Sequence, residues 1–277
     1  MTSQVGQKAQ RTPSRDVLTC PDGSRPRVLL AEDSFAARIL TTALLTRMGC
    51  DVDAAENGED AVINARGSTY DVIIMDIEMP VMDGLTAAQQ IRALDGPAGR
   101  TPIIALSAFL ADSQKASIWR ESFDINLAKP AGRDQLRKVI QAVIDVSHRA
   151  NTDAIAIQTT PSNADGLIDR NALHRLRDEM TREALQELFQ VVIDEIQDCA
   201  KLLDVDHSAN DPETVAKVAH KLKGIASTFA APKLEKLATA LEDEATVVSP
   251  PELLNRVSET CTCADETAAA LNAARAA

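Results

Sequence analysis

From Arg27 to about Ser147, short apolar runs alternate with stretches in which apolar residues recur every three or four positions. The runs are RVLLA, DVDAA, YDVIIM, TPIIALS and FDINLAK. Five strands separated by helices predict an α/β, doubly wound parallel sheet covered on both faces. Functional groups in such sheets gather where the strands end, at their carboxyl edge. Beyond residue 165 the strand rhythm stops. Leu185, Leu188, Val192, Ile196, Cys199 and Leu203 line one side of a long helix, and Val215, Val218, Leu222, Ile225 and Phe229 form the seam of a second. A third helix opens beside Pro232 and carries Leu234, Leu237 and Leu241. A fourth begins at Ser249-Pro250-Pro251 and carries Leu253, Leu254, Val257 and Leu271. These spacings predict an all-α four-helix bundle.

Composition fixes the boundaries and narrows the function. Residues 1–25 are polar, rich in turn formers and without period, so they are expected to form a flexible leader. The parallel-sheet domain then takes residues 26–148, a Thr/Ser/Pro/Asn linker 149–165, and the bundle 166–277. Two domains suit a chain of 277 residues. A formal net charge of −12, with no Lys/Arg run, argues against a nonspecific grip on nucleic acid. No run approaches the ~18 consecutive apolar residues of a membrane span, and the first 25 residues lack an apolar signal core. Five cysteines without paired metal spacing read as reduced thiols. A cytoplasmic protein without membrane insertion is the expectation.

Candidate chemistry falls at two places. Glu32 and Asp33 follow the first strand, Asp76 ends the third, Ser107 ends the fourth and Lys129-Pro130 follows the fifth. With strand order 2-1-3-4-5, strands 1 and 3 are neighbours and their three carboxylates converge. Such a cluster is costly unless a cation joins it or a group takes up a proton. Hard oxygen ligands suit Mg2+, Lys129 offers a point charge for phosphoryl oxygens, and Ser107 offers a hydroxyl. This set fits phosphoryl transfer to an aspartate. Taken singly the residues have plainer readings: Asp33 as a helix cap, Ser107 as a strand-end hydroxyl, Asp76 as a loop acid.

The second place is a histidine. His148, His174 and His207 have unremarkable neighbours and read as solvated or capping residues. His220 lies about 200° from both Val218 and Leu222 at ~100° per residue, so it points away from the seam and toward solvent. Lys223, Gly224 and Ser227 share its face. A glycine inside a helix costs about 1 kcal/mol relative to alanine, a cost explained by clearance for an approaching backbone. A solvent-facing imidazole at its ordinary pKa is substantially neutral at pH 7 and hence nucleophilic.

LLAEDS, IIMDIEMPVMDG, ALSA and LAKP, in that order and spacing, resemble the response-regulator receiver domain of the flavodoxin-like class. The resemblance implies that Asp76 is the phosphoacceptor, with Glu32 and Asp33 as the acidic pair. Asp33 would touch Mg2+ directly, with Asp76 and the backbone carbonyl of Glu78 completing the protein's share of its shell. Ser107 and Lys129 would bind phosphoryl oxygens, and the peptide before Pro130 would be cis. One departure is Asn126, where the family has an aromatic switch. AHKLKG resembles the histidine-containing phosphotransfer (HPt) domain, which implies His220 as the phosphohistidine and Lys223 and Gly224 as its helpers; Ala230 stands where that family often has a second glycine.

No Walker-type phosphate loop or ATP lid is visible. Together the resemblances imply a two-component phosphorelay intermediate rather than an ATP-dependent kinase, its receiver catalysing its own Mg-dependent phosphorylation. A sensor histidine kinase would act upstream, and a response-regulator receiver downstream or in exchange. A flexible linker of this length has an r.m.s. reach of ~20–25 Å, compatible with transfer within one chain. The alternative is a phosphorylation-gated binding protein, or a phosphate sink, with no transfer between its own two domains.

Overall fold

The computed structural model describes residues 17–107, 119, 121–147, 166–203, 211–229 and 231–276. The linker 149–165, His148, His207 and Ala230 lie outside the described residues. Five strands, β1 (Arg27–Ala31), β2 (Asp51–Ala55), β3 (Val72–Asp76), β4 (Ile103–Ser107) and β5 (Ile125–Ala128), form one parallel sheet in the order β2-β1-β3-β4-β5. β3 is buried along its whole length because helices cover both faces, which is why its sequence VIIMD is apolar up to the last residue. β2 lies at an edge, and its Asp51 and Asp53 face solvent, paired with Arg25 and Arg27 at 3.2 and 3.0 Å.

Helices α1 (Phe35–Arg47), α2 (Gly58–Gly67) and α3 (Gly84–Arg92) are each capped at the carboxyl edge of the sheet. Ser34, Asn57 and Asp83 accept from Ala37, Asp60 and Thr86 amides. A 3-10 turn spans Ala98–Arg100, and α4 (Arg133–Ser147) follows β5. The expectation of a flexible leader through residue 25 needs correction: Leu18 and Cys20 are buried, and the Leu18 amide donates to the Met48 carbonyl at 2.7 Å. Their apolar side chains cover the end of α1, so chain packing begins before the first strand.

Among the described residues, the helical half comprises a short α5 (Arg170–Glu179) and four long helices, α6 (Arg182–Leu203), α7 (Pro212–Thr228), α8 (Pro232–Glu244) and α9 (Pro250–Ala276). α6 packs on α7, α7 on α8, α8 on α9 and α9 back on α6, closing the bundle. Its seam residues Val215, Leu222 and Ile225 are fully buried, as their spacing predicts. None of the described helices is long and apolar enough to cross a membrane. The two halves are packed together. α1 lies against α6 and α7, and one apolar cluster runs from Leu40 and Leu44 of α1 through Val192, Ile196 and Leu222 of the bundle. This contact brings the carboxyl edge of the sheet over the midpoint of α7.

Candidate functional site

Sheet topology assembles the acidic pocket as the strand order requires. Glu32 and Asp33 leave β1, Asp76 ends the adjacent β3, and their ligand oxygens lie within 4.8 Å of one another. Lys129, joined to Pro130 by a cis peptide, donates through Nζ to Asp76 Oδ2 at 2.6 Å and Glu32 Oε2 at 2.8 Å. Burial opposes the charge on Lys129, but Asp76 and Glu32 outweigh it and raise its pKa. Burial also pushes Glu32 upward, against the pull of Lys129, and raises Asp33, with Asp76 adding to the shift. Ser107 stands on the same edge, and its carbonyl accepts from the Lys129 amide at 2.8 Å.

The pocket suits a hard divalent cation. Glu32 Oε1 is buried and has no hydrogen-bond partner, and two further carboxylates lie beside it with one ammonium to balance them. An uncompensated buried carboxylate oxygen is costly, and a magnesium ion with its waters would remove that cost.

His220 is placed otherwise than its helical phase alone suggests. It does leave the bundle seam, but it faces the receiver half rather than open solvent, with a side chain 24% exposed. Its Nδ1 donates to Glu242 Oε1 on α8 at 2.8 Å, and its Nε2 donates to the backbone carbonyl of Glu78 at 3.2 Å. Neither partner can donate in return, so both ring nitrogens carry protons. The Glu242 carboxylate accordingly lifts the His220 pKa to about 9 against the opposing effect of burial, with the Glu78 carbonyl and Asp33 contributing. The expected neutral, solvent-facing imidazole is therefore an imidazolium in this docked arrangement.

Lys223 and Ser227, expected on an exposed face, are buried at the contact. Lys223 Nζ pairs with Glu242 Oε2 at 2.9 Å and with the Glu78 carboxylate. Its pKa is raised because these acceptors outweigh desolvation, while Glu242 is lowered by His220 and Lys223 despite its own burial. Gly224 also needs correction. A Cβ there would meet nothing within 4 Å, so no partner backbone presses on it in this arrangement. Its missing side chain instead leaves room in a water-sized cavity of about 20 Å³. Asp33, Asp76, Glu78 and Lys129 line that cavity from one side, His220, Lys223, Gly224 and Ser227 from the other. A larger cavity of about 260 Å³, beside Arg177, Arg182 and Phe189, brings together none of the nucleophiles.

Reasoning from the sequence missed Glu242, the Glu78 side chain and Glu195. Glu242 lies 22 residues beyond His220 in another helix, and only the α7–α8 packing makes it a neighbour. His174 is exposed on α5 and takes no part.

Comparison with known proteins finds two families along the chain. The family described as Response regulator receiver domain matches residues 28–141, and the Hpt domain matches residues 183–277. The chain is a receiver domain followed by an Hpt domain. Among curated relatives, the sensory/regulatory protein RpfC of Xanthomonas campestris is 28% identical over 206 residues, which is 73% of this chain and 28% of RpfC. The histidine-protein kinase BarA of Escherichia coli is 25% identical over 222 residues, 78% of this chain and 24% of BarA. The sensor protein GacS of Pseudomonas syringae is 37% identical over 117 residues, 42% of this chain and 13% of GacS. The chain thus spans 13–28% of the length of these relatives. Among solved structures, the receiver domain of the sensor histidine kinase PA1611 from Pseudomonas aeruginosa is 32% identical. That match covers 44% of this chain and all of that one, with a TM-score of 0.42.

Proposed function

We propose that this receiver–Hpt pair is a phosphorelay intermediate in which one phosphoryl group moves between Asp76 and His220 of the same chain. The observation that carries the reading is the shared cavity: the carboxylate and the imidazole line it from opposite sides, across the contact of the two domains. Transfer breaks the bond between the Asp76 oxygen and phosphorus and forms one from phosphorus to His220 Nε2. Nε2 must first give up its proton to solvent, and with it the contact with the Glu78 carbonyl. Nδ1 keeps its proton on Glu242, which leaves Nε2 as the nitrogen with a free lone pair. Lys129 Nζ, already on Asp76, would hold phosphoryl oxygens together with Ser107, and Lys223 would face them from the bundle.

Asp33, Asp76 and the Glu78 carbonyl, with Glu32 beside them, are the residues that would hold Mg2+. Bound there, it supplies positive charge against the phosphoryl oxygens. The relatives include proteins described as a sensor and as a signal transduction histidine-protein kinase, which supports a sensor histidine kinase as the upstream donor. A separate receiver would be the downstream acceptor, and the setting would be the cytoplasm.

The test is to supply a phosphodonor and Mg2+ to the wild-type chain, Asp76→Ala and His220→Gln. Phosphohistidine is acid-labile, whereas aspartyl phosphate is cleaved by hydroxylamine, so the two carriers separate. Label on His220 that depends on Asp76 is expected. Stable Asp76 label that never reaches His220 would refute transfer and leave phosphorylation-gated binding.

A further inference from the structure

Away from the reactive cavity, α1 and α6 share a polar contact that the transfer chemistry does not use. Glu195 Oε2 on α6 accepts from the backbone amide of Ala36 at 3.0 Å. That amide belongs to the first turn of α1, where N–H groups lack partners within the helix and the helix dipole is positive. Ser34 already serves the next amide, Ala37, at 3.3 Å, so the bundle completes the cap that the receiver leaves open. Glu195 is held for this purpose: its side chain is only 11% exposed and its other oxygen pairs with Lys221 Nζ at 3.4 Å.

We propose that Glu195 is the docking anchor of the bundle, a positioning residue that seats a receiver by the N-terminus of its first helix and so aligns His220 with the phosphoacceptor. The inference rests on the relay reading above. Of the polar contacts across the boundary, Glu195 to the Ala36 amide and His220 to the Glu78 carbonyl grip backbone atoms, and Lys223 to the Glu78 carboxylate is a side-chain pair. A backbone grip recognises the fold, not the sequence. The partner it fits is therefore any receiver presenting an open α1 terminus beside its acidic pocket, whether this chain's own or one supplied on a second molecule. Own and separate receivers then compete for one seat.

Full-length chains test this in trans. A His220→Gln chain phosphorylated on Asp76 serves as donor, with or without Glu195→Ala or Glu195→Gln, and an Asp76→Ala chain serves as acceptor, so that the variant weakens only the seat holding the donor's own receiver. Loss of a charge-assisted hydrogen bond of this kind should free the donor's receiver from its own bundle and lower the half-saturating donor concentration by up to about tenfold, with the saturating rate retained. Glu195→Gln, which keeps a carbonyl acceptor, should fall between the two. In the intact wild-type chain without phosphodonor, the Ala36 amide resonance should move upfield on Glu195→Ala substitution. Unchanged half-saturation alongside an unmoved Ala36 resonance overturns the anchor and leaves the relay standing. If wild-type His220 never takes label, the relay falls, and the Ala36 resonance alone decides the anchor. A changed saturating rate at unchanged half-saturation would also overturn it, since release of the donor's receiver then does not depend on Glu195.

Discussion

Removing Glu242 should change how His220 titrates and where in pH the docked protein is most stable. The Glu242 carboxylate sits 2.8 Å from Nδ1, and with it in place the His220 pKa rises from 6.5 to about 9. At about 1.4 kcal/mol per unit, that shift corresponds to about 3 kcal/mol as an upper bound, and solvent around the partly exposed pair brings it nearer 1–2 kcal/mol. Other charged groups remain near the ring: Lys223 on its own helix, and Glu78 and Asp33 from the receiver. The Glu242→Ala value should therefore fall by at least about one unit without dropping far below the ordinary histidine range. Because the folded-state pKa is raised, the stabilisation from His220 is complete below 6.5 and is lost as pH climbs through about 9. Glu242 is itself shifted downward, so its share is present above its ordinary value of 4.5 and fades in acid. The difference in melting temperature between wild type and variant should accordingly peak between 4.5 and 6.5 and shrink toward pH 9. The assay is an NMR titration of the His220 ring proton in the full chain without magnesium, paired with thermal unfolding across the same range. Identical midpoints in wild type and Glu242→Ala would refute the imidazolium assignment and the role given to Glu242.

Gly84→Ala should unfold more readily and lose Asp76 phosphorylation. A Cβ there would lie 2.0 Å from the Asp76 carbonyl oxygen and 2.9 Å from Ile77 Cα, both backbone atoms, and overpacking of this sort costs about 1–3 kcal/mol or more by thermal melting. Gly224→Ala should do the opposite to stability, adding up to about 1 kcal/mol of helix propensity because its Cβ meets nothing within 4 Å. The same methyl enters the cavity beside His220, so histidine labelling should slow while the melting temperature rises. Magnesium should raise the melting temperature of wild type, by relieving the carboxylate cluster, and do so far less in Asp33→Asn; equal shifts in both would remove Asp33 from the metal site.

The strands were legible because β1, β3 and β4 lie inside the sheet and are apolar on both faces, and because sequence punctuation marks where each carboxyl edge begins. The acidic pocket followed, since strand order alone makes the ends of β1 and β3 adjacent. His220 shows where local reading stops. Helical phase fixes which way a side chain leaves its own helix and is silent about what meets it there. Burial of Lys223 and the protonation of His220 both come from Glu78 and Glu242, residues far away in the chain. Leu18 and Cys20 were lost for a related reason: two apolar residues in a polar leader make no period, and only the end of α1 gives them a surface to cover.

Net charge concealed the docking as well. The total of −12 averages over the whole chain. At the contact, the receiver edge presents Glu32, Asp33, Asp76 and Glu78, relieved chiefly by Lys129, while α7 presents His220 and Lys223, which share Glu242 of α8. Opposite local charges draw the two surfaces together although both domains belong to an acidic protein. The same arithmetic bears on the relay. A phosphoryl group on Asp76 should add negative charge opposite His220 and Lys223 and strengthen docking, whereas one on His220 should offset their charge and weaken it. Docking strength then depends on which residue carries the group, favouring engagement before transfer and release after it. Raising the ionic strength should narrow that difference, because screening acts on the partly exposed charges at the rim of the contact.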